Sequence, residues 1–161
     1  MAFDFSTLVT DRTQQDVDYV KQLIEKLLND TATDAEKAEW DSFTLRGSYN
    51  YTDMNRVGAA VEYIALRLLG CGTSVDVSPK QDWSEWDTPT YSQMERYRSD
   101  IVALRTALAA MPTTPQAPAT MSNLTWVEAN AIEKILQDTD VLISNLEAAW
   151  FFSGDLFSGE V

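Results

Sequence analysis

Three stretches of the chain repeat apolar residues at alternating intervals of three and four, and this spacing constrains the fold most tightly. Met54, Val57, Val61, Ile64 and Leu68 form one seam; Met94, Tyr97, Ile101, Leu104, Leu108 and Met111 form a second. Ile132, Leu136, Thr139, Ile143, Leu146 and Trp150 form the third. Residues three and four apart share one face of an α-helix, so each seam is a single stripe. None of the three segments is apolar all round, and each must bury its stripe against a neighbour. Helices around a shared core satisfy that requirement. The chain is therefore expected to be all-α, a bundle of four to five helices in one domain over residues 1–161.

Capping signals place the boundaries. A first helix is expected over about 13–29, with Val17, Val20, Ile24 and Leu27 on its stripe. A second, about 34–45, starts on Thr33 with Glu36 as a capping box and stops at Gly47. The third runs over about 52–69 and ends at Gly70 and Gly72. The fourth runs over about 92–110, from a Ser92–Glu95 capping box to Pro112, and the fifth over about 126–151, from Thr125 with Glu128. Two connections stand apart. Residues 70–91 make a long loop rich in aromatics, within which Ser74–Ser78 alternates as a short strand would. Residues 112–123, with Pro112, Pro115 and Pro118, suit an extended strap across the bundle end.

Charge and missing residue types narrow the function. The net charge of −13 disfavours nucleic acid and anionic membrane surfaces as partners. No apolar run is long enough to insert into a membrane, and Met1–Thr10 does not read as a signal peptide. There is no histidine, which removes the commonest general base at neutral pH and the commonest transition-metal ligand. Ser-His and Cys-His nucleophile systems fail with it, as do Glu-x-x-His di-iron sites. Phosphate-binding, dinucleotide and calcium loops are also missing from the sequence. The expectation is no catalytic residue, no metal, no cofactor and no enzyme. Glu128 with Glu133 and Asp138 with Asp140 read as solvated helix faces. Arg56 and Arg96 read as ion-pair partners for some of the many carboxylates, and Cys71 as a helix-end packing residue.

Binding, then, falls to the aromatics. Trp83, Trp86 and Tyr91 lie in the long loop among Lys80, Asp82, Glu85 and Asp87, and Tyr49 and Tyr51 precede the third helix. These rings either plug the open end of the bundle or present a recognition surface. As a surface, Trp83, Trp86 and Tyr91 would meet a protein partner; Tyr49, Tyr51, Trp83 and Trp86 would line a groove for a ligand such as a glycan. The tail over 151–161 repeats Phe-Ser-Gly followed by an acid. Phe152, Leu156 and Phe157 make it apolar enough either to fold back on the bundle or to dock on a neighbouring chain.

Several stretches together carry a family resemblance. They are Thr10–Asp18 (TDRTQQDVD), Gly47–Tyr63 (GSYNYTDMNRVGAAVEY), Pro89–Tyr97 (PTYSQMERY), Leu124–Leu136 (LTWVEANAIEKIL) and the ending Ala149–Val161. The chain resembles a helical module found among tail and other virion structural proteins of phages and prophages of Gram-positive anaerobes. The resemblance spans nearly the whole chain and transfers no catalytic motif. It implies a non-enzymatic structural, assembly or attachment module of a phage tail or baseplate. Its partners would be other virion proteins or further copies of itself, and its location the virion, assembled in the host cytoplasm.

Overall fold

The structure, a computed structural model, describes residues 2–157, with side chains as far as residue 150. Among the described residues it holds five α-helices and no strand: α1 (Gln14–Leu28), α2 (Asp34–Asp41), α3 (Tyr51–Gly70), α4 (Tyr91–Ala107) and α5 (Trp126–Phe157). The fold is an all-α helical bundle. A 3-10 turn, Phe5–Thr7, precedes α1. No helix among the described residues is long and apolar enough to cross a membrane.

Every helix starts on a capping box: Thr13 with Asp16, Thr33 with Glu36, Asn50 with Asp53, Thr90 with Gln93, and Thr125 with Glu128. Each box answers amide groups that the first turn would otherwise leave unpaired. The α4 box lies two residues before the expected Ser92–Glu95. Thr90 has the extended backbone an N-cap needs, and Gln93 returns the bond to its N–H at 2.8 Å. Likewise α2 stops at Asp41 rather than Leu45, because Phe43 takes a left-handed turn (φ 53°) that sends Leu45 into the core.

The core has two parts. The main one joins all three seams, with Val57, Ile64, Leu68, Ile101, Leu104, Ile132, Leu136 and Ile143 wholly buried between α3, α4 and α5. The smaller one packs α1 on α2 through Val20, Leu23 and Leu45, with Leu27 and Trp40 beside them. The expected α1 stripe is corrected here: Leu23 is buried, whereas Ile24 is 38% exposed. Intervals of 3, 4 and of 4, 3 both link Val20 to Leu27, and the contact with Leu45 selects the face that carries Leu23.

α3 and α5 run in the same direction. Arg56, near the start of α3, meets Glu133, to which Arg12 also joins Asp53, and Arg67, near the end of α3, meets Asp140 and Glu147. α4 runs the same way, its Tyr97 near the start meeting Tyr49 just before α3, so the two long segments each return the chain along the bundle. The 71–90 segment turns back along α3, with Lys80 against Gly58 and Trp83 against Asn55. The proline strap is held by Arg105 Nε donating to the Pro115 carbonyl (2.7 Å) and Thr114 Oγ1 donating to Asp138 (2.7 Å). Ser74–Ser78 forms no strand, because it lies across helices with no strand beside it to pair with. Its alternation survives in packing: Val75 and Val77 rest on the core while Ser74, Asp76 and Ser78 face water.

Gly58 is fixed by this returning strap. A Cβ there would stand 2.5 Å from the Lys80 carbonyl oxygen, whereas one at Gly70 would meet nothing within 4 Å. Gly58→Ala is expected to lower stability by about 1–3 kcal/mol through overpacking. Gly70→Ala should leave it unchanged or raise it by up to ~1 kcal/mol through helix propensity. Urea denaturation of the two variants beside wild type measures both.

Candidate functional site

Packing between the chain's first residues, α3 and α5 encloses an ionic cluster. Glu133 is fully buried, and Arg12 and Asp53 nearly so. Arg12 Nη2 donates to Asp53 Oδ1 at 2.8 Å and to Glu133 Oε1 at 2.7 Å. Arg56 reaches Glu133 through Nε (3.1 Å) and Nη2 (2.9 Å) and also pairs with Asp53. The Val9 amide donates to Glu133 Oε2 at 2.7 Å, and Arg12 Nη1 returns a bond to the Val9 carbonyl. Asn130 closes the group by accepting from the Arg12 amide and donating to its carbonyl. The Arg12 guanidinium also lies 5.4 Å from the centre of the Tyr49 ring, a cation–π approach.

Two arginines against two carboxylates leave this cluster neutral. Both Glu133 oxygens are occupied by donors, so neither is free to take a proton from a substrate. Asp53 lines a cleft of about 280 Å³, while Glu133 has no access to solvent. The two carboxylates therefore do not face a substrate together, as paired acid–base work requires. Among the described residues no three Asp, Glu, Cys or His side chains gather closely enough to hold a metal ion. The arrangement fixes one segment of the chain against two helices.

Glu133 and Asp138 overturn the reading of solvated faces. Asp138 is buried, holding Thr114 and Lys134. Glu128 does lie near the surface, in its capping box. The sequence signal was present: Ala129, Glu133 and Leu136 are spaced 4 and 3, which puts the acid on the apolar stripe. Arg12 is the residue that sequence reasoning missed, since it precedes any helix. Arg56 is ion-paired as expected, and Arg96 pairs with Asp100 at 3.0 Å. Cys71 caps α3 and packs half-buried on the core.

The aromatic residues separate. Trp83 is only 5% exposed and belongs to the main core, which corrects its place in a recognition surface. Asn55 accounts for this, accepting from the Trp83 amide and donating to its carbonyl, both at 2.8 Å, so the loop is clamped with the ring inward. Tyr49 and Tyr51 pack against the same core, and the Tyr49 hydroxyl bonds that of buried Tyr97. An open groove over Tyr49, Tyr51, Trp83 and Trp86 is thus not formed. Trp86 and Tyr91 are 85% and 76% exposed and remain available to a partner. The side chains of Phe152, Leu156 and Phe157 lie outside the described residues. Comparison with known proteins finds no matching family model, no matching curated protein and no matching solved structure.

Glu133→Gln is expected to cost about 3–5 kcal/mol, because it leaves buried arginine charge short of its partner. Glu128→Gln, which keeps a capping box, should stay within ~0.5 kcal/mol of wild type. Chemical denaturation reads both. The tyrosine pair gives a pH test. Desolvation raises both hydroxyls above the ordinary value near 10. The stability they contribute is then full below pH ~10 and lost as pH rises further, when the unfolded chain ionises first. Ultraviolet titration should show Tyr49 and Tyr97 un-ionised after exposed tyrosines have titrated, and their release should coincide with unfolding by circular dichroism.

Proposed function

We propose that this chain is a non-enzymatic assembly module working by protein–protein contact through the far end of α5. The observation that carries the reading is the reach of that helix. Arg67, near the end of α3, ties to Ser144 and Glu147 of α5, and α5 continues to Phe157, ten residues or about 15 Å further. Ile143 is its last buried residue in the stretch where burial is described. The seam spacing nevertheless continues in the sequence through Leu146, Trp150, Ser153 and Phe157. A stripe of that spacing carried on toward the end of a long helix fits a partner helix or groove.

The partner in this reading is a second copy of the chain. A place in a phage tail or baseplate, beside other virion proteins, rests on the sequence resemblance. Sedimentation velocity of the full chain over a range of concentrations tests the contact. Wild type should associate as concentration rises. Phe157→Glu, on that stripe, should weaken association by at least about tenfold, with unchanged helical circular dichroism. A wild type that stays monomeric throughout would end the reading.

A further inference from the structure

A cleft of about 400 Å³ opens between the start of α1, the turn around Arg46–Tyr49 and the start of α5. Its lining runs against the rest of the molecule. The chain has 25 acidic residues against twelve Lys and Arg, yet Lys21 and Arg46 line the cleft beside Arg12, whose charge Asp53 and Glu133 share beneath, and no Asp or Glu lines it. Tyr49 and Trp126 add rings. The first turns of α1 and α5 both border it, each with the positive end of its helix dipole. Arg12, although almost fully buried, keeps an Nε–H with no acceptor. Arg46 is paired only with the exposed Asp11, and Lys21 has no ion-pair partner among the described residues.

Cations with rings on the walls suit an acidic segment that carries rings of its own. The chain contains one. Residues 150–161 hold Asp155 and Glu160, four Phe or Trp rings at 150, 151, 152 and 157, and no Lys or Arg. Resting on the reading of the α5 end as a docking segment, we infer that this cleft is the seat for the C-terminal acidic, aromatic segment of a second copy.

The segment cannot fill the cleft of its own chain. The cleft is bordered by Leu124–Ala129, at the beginning of α5, and α5 extends 32 residues to Phe157, about 48 Å. The four residues after Phe157 span at most ~14 Å. The contact therefore forms only between copies, head to tail, with a different surface used on each. Such a contact closes into a ring or continues as a filament.

Charge reversal in the full chain tests the assignment. Lys21→Glu with Arg46→Glu makes the cleft acidic and moves the net charge from −13 to about −17, two units per substitution. Asp155→Lys with Glu160→Lys makes the tail basic and moves it to about −9. By sedimentation velocity each variant alone should associate at least about tenfold more weakly than wild type. An equimolar mixture should regain association, because each then offers the other a complementary end. Added salt should weaken the wild-type contact. If net charge alone governed association, the tail variant would associate more tightly than wild type, and that result would overturn the assignment. So would a cleft variant that associates like wild type, which leaves α5 docking in place with another receptor. A mixture that fails to regain association overturns it too, and a strictly monomeric wild type removes both readings.

Discussion

The buried pairing of Arg12 and Arg56 with Asp53 and Glu133 sets the arrangement on which the other contacts depend. It ties the segment before α1 to the first turns of α3 and to the first quarter of α5, three pieces far apart in sequence. Removing such charges from water is expensive, and apolar residues of similar volume often serve stability as well or better. The gain lies in register. Apolar seams tolerate a slide of one heptad, whereas a buried carboxylate held by two arginines and the Val9 amide has one place to be. Asp53 contributes twice, since its second oxygen closes the capping box that begins α3 at Asn50. The start of the helix and its position against α5 are thus fixed by one side chain.

With α3, α4 and α5 all running the same way, the long connections follow. The chain has to travel back along the bundle after α3 before α4 can begin, which accounts for the length of the 71–90 segment. That segment is too closely packed to be a free loop. Gly58 admits the Lys80 carbonyl, Asn55 grips the Trp83 backbone, and the Ser78 amide donates to buried Asp100. Burial pushes the Asp100 carboxyl above the usual carboxylate range, so its partners at Ser78 and Arg96 work against a desolvation cost. The proline strap is anchored by the same means, with the buried pair Thr114 and Asp138 beneath it.

The seams were legible in the sequence because helical periodicity is a local property. Val57, Ile64, Ile101, Leu104, Ile132 and Leu136 are all buried where their spacing placed them. Capping boxes were legible for the same reason, and the shift at α4 shows their limit. Thr90 with Gln93 and Ser92 with Glu95 are equally good on paper, and backbone geometry after Pro89 decides between them. Pairing across the chain was not legible. Glu133 is one acid among 25, and only the arrival of Arg12 and Arg56 makes its burial tolerable. Trp83 fails in the same way from the other side. Its neighbours Lys80, Asp82, Glu85 and Asp87 are polar, so local composition says surface, while Asn55, 28 residues earlier, draws it in.

Parallel helices also give the molecule a polarity that an antiparallel bundle would lack. The starts of α1 and α5 and the turn before α3 gather at one end, and with them the cationic cleft. The apolar, acidic-tailed end of α5 points away from that cleft because α5 is a single helix. A surface that accepts and a segment that inserts then sit about one helix length apart. A two-fold dimer that pairs like patches would leave the accepting cleft of one copy away from the inserting segment of the other. Propagation along the bundle axis uses both at every step. The exposed pair Trp86 and Tyr91 is independent of that axis, as it belongs to the returning strap and the start of α4. In the proposed assembly the chain would offer two kinds of contact: one between successive copies, built from charge and rings at the ends, and one on its side, built from the rings that the Asn55 clamp leaves outside the core.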